Sequence, residues 1–264
     1  MTKRMSISTV FVVLMAGNAQ AQHHDTGETL WSQADAYYDP EEMAKARAGV
    51  LHHSGGEVTD FIMADRMEWQ LGDEGGGLWD LQAWRGGDLH KLWIKTEGEY
   101  SFDHQALEEM EIQALYSRAI LAYFDLQMGL RYDLEPKGKT HGVLGIQGLM
   151  PYGFEVDLAG FIATSGDVSM RFEGEYDFRL TQRLIAQPRL ELSWQGQDDL
   201  YAGLGSGFTH TSIGLRVRYE ITREFAPYIG LEWQSDLGET RDLIRRAGGE
   251  AEDTKILIGH RSWY

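Results

Sequence analysis

The sequence predicts an all-β fold: an antiparallel transmembrane β-barrel of about 12 strands with a short N-terminal periplasmic arm. Three observations predict it. From Val58 onward, apolar and polar residues alternate with period two, the pattern of strands that have one apolar face. The connections between these runs alternate between short and long, with a tight exception at 166–167, as in outer-membrane barrels. The chain finishes on Trp263 and Tyr264, aromatics of the kind that form a girdle at a membrane interface.

The elements follow in chain order. Met1 to Ala21 reads as a secretory signal. Lys3 and Arg4 supply the basic start and Thr9 to Ala16 the apolar core, while Ala19-Gln20-Ala21 fits a small-residue cleavage site. The apolar run is far below the roughly 20 residues that a spanning helix needs. No other segment reads as a membrane helix. A membrane form of this chain therefore has to be a closed barrel, which satisfies every backbone group within the sheet.

Residues 22–57 form the expected periplasmic arm. His23, His24, Asp25 and Glu28 open a polar stretch, and Asp39-Pro40-Glu41-Glu42 has the acids and the proline of a helix start. A short helix is expected over Met43 to Leu51, ended by His52-His53-Ser54-Gly55-Gly56.

The barrel is expected over residues 58–264. Strands are read near 59–71, 78–86, 88–101, 109–119, 121–133, 140–150, 153–165, 168–180, 183–195, 210–221, 225–236 and 253–264. The run from Val168 to Leu180 is the clearest. Val168, Met170, Phe172, Tyr176 and Phe178 share one face, and Arg171, Glu173, Glu175, Asp177 and Arg179 share the other. Alternation alone does not say which face is inside. A soluble lipocalin-like barrel or a two-sheet sandwich would turn the apolar row inward. Long strands, Trp and Tyr at strand ends and the aromatic final strand favour lipid outside. The lumen would then be lined by charges of both signs, among them Arg66, Glu68, Glu97, Glu111, Arg131, Arg171, Arg189, Arg216 and Glu232, which can pair and fill it.

Composition narrows the function. The 264 residues contain no cysteine, so disulfides and thiolate chemistry are excluded. Asp and Glu number 41 against 24 Lys and Arg, a net charge of −17. That balance argues against a nucleic-acid partner, which needs basic patches on its phosphates.

Several stretches then carry a resemblance. They are Leu115-Tyr-Ser-Arg-Ala-Ile120, Asp125-Leu-Gln-Met-Gly-Leu-Arg-Tyr-Asp133 and the run Gly145-Ile-Gln-Gly-Leu-Met-Pro-Tyr-Gly-Phe-Glu-Val-Asp157. Thr181 to Glu191, Gly203-Leu-Gly-Ser-Gly207, Gly214 to Glu220 and Phe225 to Gly230 follow in the same order. Together they resemble the copper resistance protein B family over about Met63 to Tyr264. The resemblance implies an outer-membrane protein of a Gram-negative bacterium that serves copper resistance by binding, sequestering or exporting copper, alongside a periplasmic multicopper oxidase. The chain departs from the family before the barrel. Many members carry a long Met- and His-rich region there, whereas residues 22–57 hold only His23, His24, His52, His53 and Met43 as such ligands.

Those four histidines are the candidate metal residues. His23 and His24 open the mature chain, and imidazole suits copper; His52 and His53 make a second pair. The same residues also read as part of a solvated polar arm. Met63, Met67, Met128, Met150 and Met170 offer soft thioethers, but their spacing reads as apolar filler on the lipid row. Ser206, His210 and Asp198 or Asp199 lie close enough in sequence to consider a barrel hydrolase. Gly203-Leu-Gly-Ser-Gly207 lacks the strand-to-helix turn of a nucleophile elbow, and no enzymatic role is expected. The alternative to a copper role is a generic acidic outer-membrane channel or structural barrel with no direct copper binding.

Overall fold

The computed structural model describes residues 32–54, 57–72, 75–200 and 202–264. The chain divides into two units, residues 1–55 and residues 56–264. In the first, a 3₁₀ turn (Ser32–Ala36) precedes helix α1 (Pro40–Ser54). Asp39 caps that helix by accepting the Glu41 and Glu42 N–H groups at 2.8 and 3.2 Å. Pro40 at the first helical position and acids in the first turn suit the helix dipole.

The second unit is a barrel. Its strands are β1 (Thr59–Leu71), β2 (Gly76–Gly86), β3 (His90–Ser101), β4 (Ala106–Leu121), β5 (Phe124–Glu135), β6 (Lys139–Met150), β7 (Phe154–Ala163), β8 (Val168–Tyr176), β9 (Phe178–Arg179), β10 (Leu184–Gln195), β11 (Gly207–Tyr219), β12 (Phe225–Asp236) and β13 (Glu252–Trp263). All pairings are antiparallel between neighbours. β8 and β9 both pair with β10 and make one stave interrupted at Asp177, so the barrel has twelve staves. β13 returns to β1 in a register from Met63↔Trp263 to Leu71↔Ile256. Ile62 and Tyr264 complete the seam, each donating its N–H to the other's carbonyl at 2.9 and 2.8 Å. The sheet is left without a free edge, as a bilayer requires.

The faces settle the ambiguity of the alternation. Leu92, Leu130 and Ile229 point outward with more than 60% of their surface exposed, while Arg216, Glu68 and Gln127 point inward and are buried. A soluble barrel has the opposite arrangement. An apolar exterior of this extent belongs in lipid. Buried apolar residues are few: Leu115, Val143 and Phe161 form a small cluster on the inner wall with Trp93 and Ala159 against it.

Both chain ends of the barrel lie at one rim, with the tight connections 87–89, 122–123, 151–153, 180–183 and 220–224. The opposite rim carries 72–75, 102–105, 136–138 and 164–167 together with the two longest connections, 196–206 and 237–251. One of these contains helix α2 (Gly238–Ala247), where the strand pattern predicts only a connection between 236 and 253. Its signals are local: Glu239 in the first turn, Arg245 and Arg246 in the last, and Gly248 in the left-handed conformation (φ 86°) donating to the Arg245 carbonyl. A second departure lies in β1. Its register slips between Ala64 and Arg66 against β2, so the bulge turns both Asp65 and Arg66 toward the lumen. Met63 on the near side of the bulge also faces in, and Arg261 reaches its sulfur at 3.5 Å.

Candidate functional site: the barrel lumen

The register of β1 to β6 builds the site. Arg66, Asp80, Glu97, Glu111, Asp133 and Lys139 are directly opposite one another in turn. Four carboxylates thus stand side by side on β2 to β5, an arrangement that like-charge repulsion disfavours unless cations offset it. Three guanidiniums do so. Arg66 binds Asp80 at 3.3 Å and also Glu97. Arg131, from β5, binds Glu111 at 2.9 Å and Asp133 at 2.5 Å. Arg171 comes from β8, on the far side of the lumen, and binds Glu97 and Glu111 at 3.0 Å each.

Other pairs cross the lumen too. Arg216 on β11 binds Glu68 on β1 at 2.6 Å and Glu232 on β12 at 2.9 Å, and the Tyr228 hydroxyl donates to Glu68. Lys95 on β3 binds Asp157 on β7 at 2.7 Å, and Lys255 on β13 binds Glu99 on β3 at 2.9 Å. Long charged side chains fill the cross-section, so the barrel is not an open pore.

Two large cavities meet at the middle of the lumen. One of about 540 Å³ opens toward the rim that holds the chain ends, reaching Asp88, Tyr123 and Leu149. The other, about 650 Å³, opens toward the long connections at Lys137, Ser165 and Leu204. Five residues wall both: Glu97, Glu111, Phe161, Arg171 and Arg189. This is the septum of the lumen. The Phe161 ring lies 4.7 Å from the Arg131 guanidinium and 5.9 Å from that of Arg171, stacking distances for a cation on a ring face. Ten acidic and five basic residues line the first cavity, and ten acidic and six basic the second, so both chambers favour cations.

The long connections are tied to the barrel wall. Lys139 donates to Asp167 and Asp199 at 2.8 Å each, and Ser165 and Gln197 also donate to Asp167. The bond from Lys139 holds the Asp167 carboxyl below its usual range, helped by Ser165. Thr240 of α2 is buried and accepts the Gly205 N–H at 2.9 Å, joining α2 to the 196–206 connection.

The predicted site residues are dispersed. His23 and His24 lie outside the described residues. His52 and His53 fall in the last turn of α1 by backbone, and their side chains also lie outside what is described. Met67, Met128, Met150 and Met170 face outward, whereas Met63 faces the lumen. Ser206 and His210 take different partners: Ser206 donates to Glu239 at 3.3 Å, and His210 sits 3.3 Å from Asp236. His141 lies 3.5 Å from Asp133. Among the described residues, no three His, Asp or Glu side chains gather as a metal cage. The sequence reading missed Asp80 and Phe161. Phe161 was detectable, because it keeps phase with the inward Glu155 and Asp157; its apolar character hid it. Asp80 lies in Gly76–Gly86, where glycines and tryptophans blur the alternation.

An inverted barrel with a charged, partly filled lumen can be set beside known proteins. The family described as Copper resistance protein B precursor (CopB) matches residues 58–264. The chain belongs to the copper resistance protein B family. It is 41% identical over 216 residues to Copper resistance protein B of Escherichia coli, covering 81% of this chain and 72% of that one. It is 37% identical over 232 residues to a Copper resistance protein B homolog of Pseudomonas syringae pv. tomato, covering 85% and 78%. Among solved structures, the NanC porin is similar with a TM-score of 0.51 at 12% identity, covering 78% of this chain and 100% of the porin. The KdgM porin gives a TM-score of 0.47 at 12% identity over 77% of this chain and 98% of that one. At such identity the likeness concerns the fold alone, that of an outer-membrane-type barrel.

Proposed function

We propose that this copper resistance family member acts in the outer membrane by admitting copper ions into its acidic lumen and holding or passing them there, with copper as cargo. The observation that carries this reading is the acid excess of both chambers in a barrel whose exterior is apolar. Carboxylate-rich walls concentrate cations and repel anions. The chain ends would face the periplasm, by the usual arrangement of short turns on that side. His23, His24, His52 and His53 would then meet copper there, and a periplasmic multicopper oxidase would be the neighbouring partner.

Two measurements test it. The first is copper tolerance of cells that lack the chain, or that carry it without residues 22–57. Loss of tolerance in the first strain is expected, and unchanged tolerance there would sink the copper reading. Unchanged tolerance in the second removes the arm from the mechanism and leaves the lumen. The second is titration of the refolded protein with Cu(II) and with Cu(I), with and without the arm. The competing reading, an acidic channel that does not bind copper, draws on the extensive internal pairing of the lumen carboxylates. It predicts no heat of binding with either ion.

A further inference from the structure

Among the described septum residues, Arg171 is the long, flexible side chain that spans to the opposite wall. β8 stands five staves from β3 in a ring of twelve, nearly diametrically opposite. From there Arg171 grips Glu97 and Glu111 at 3.0 Å, side by side on β3 and β4. Arg66 and Arg131 hold the same carboxylate row from β1 and β5, within or next to the row itself. They can stay bound while the lumen opens; Arg171 cannot. Phe161, the other side chain under the guanidinium, is buried and packed on Val143 and Leu115, so it stays in place when Arg171 leaves.

We propose that Arg171 is the latch of the lumen and that Glu97 and Glu111 are both its catch and its charge filter. When the guanidinium swings away from the far wall, the two cavities join. The carboxylates that it releases then face the passage and favour cations over anions. No bond is made or broken covalently; one tethered cation gives way to mobile ones. Rising ionic strength supplies bulk cations that compete with the guanidinium for the two carboxylates, although a partly buried pair is screened less than a surface one. Passage should therefore rise more steeply with salt than bulk conductivity does. The inference builds on the lumen pathway of the reading above, yet it is testable with potassium ions alone.

The experiment is single-channel conductance of the refolded full-length protein in planar bilayers with KCl. Wild type is expected to be mostly closed. R171Q should conduct several-fold more, with a reversal potential under a KCl gradient that reports cation preference. E97Q/E111Q should also conduct, because the catch is gone, but with a weaker cation preference than R171Q, since only the other acids of the two chambers remain. Folding of each variant is checked by its heat-dependent gel mobility. If R171Q does not fold, E97Q/E111Q decides alone: a silent folded double variant overturns the latch. So does a folded R171Q as closed as wild type. A cation preference in E97Q/E111Q as strong as in R171Q overturns the filter. Copper tolerance is measured separately, so a latch that opens in KCl with no effect on copper refutes the copper reading and not the latch.

Discussion

Arg216 on β11 and Glu68 on β1 lie 2.6 Å apart with almost no solvent contact, although 148 residues separate them in the chain. Glu232 takes another arm of the same guanidinium and Tyr228 another lone pair of the same carboxylate. The Arg216→Met variant leaves two buried carboxylates without their cation. Such a loss costs about 3–5 kcal/mol. A lower urea midpoint in detergent micelles checks this, and a midpoint equal to wild type would mean that water in the lumen replaces the guanidinium.

The outward face can be tested by one charge. Leu231 lies near the middle of β12, opposite Leu215 of β11, and both point away from the lumen. Leu231→Arg should destabilise the barrel in lipid by about 2–4 kcal/mol, the cost of a cation at the bilayer midplane. The same change at the outer rim should cost far less. Equal costs at both depths, read from unfolding in vesicles, would contradict a lipid-facing wall.

The seam depends on Tyr264. Its backbone exchanges two hydrogen bonds with Ile62, and Trp263 donates its indole N–H to the Arg223 carbonyl at 2.8 Å. Removing Tyr264 deletes the backbone pair, at about 1 kcal/mol net for each bond. Faster amide exchange at Ile62 and Met63 is the expected signature, with the β5 to β7 region unaffected.

Acid should loosen the loop-end connections. The depressed folded-state value of Asp167 means that its contribution is fully present above the unfolded value of about 3.9 and is lost as pH falls through the lower folded value. Proteolysis of the 164–167 and 196–206 connections should therefore accelerate below that range. Asp167→Asn should be cut faster at neutral pH and should show little further change on acidification.

Much of the fold was legible because a barrel is a repeated local pattern. The predicted boundaries 59–71 and 225–236 coincide with β1 and β12, and most others fall within two or three residues. The readings that failed did so where local rules are overridden. The bulge at Asp65 needs the partner strands to define it, and α2 needed its caps weighed above the loop spacing. The lumen was legible as a list of charged residues, but not as a site. Which carboxylate meets which guanidinium depends on shear and curvature, which bring Arg171 to Glu97 and Glu111 across staves that never pair.

Periodicity, charge and motif are properties of neighbours along the chain, so an alternating, acidic, cysteine-free chain of about twelve strands that resembles copper resistance protein B is readable from one dimension. Which face meets lipid, how the ring closes between Ile62 and Tyr264, and which five residues separate the two large cavities are fixed in three dimensions. Those are relations between residues far apart in sequence, set by closure of the sheet on itself.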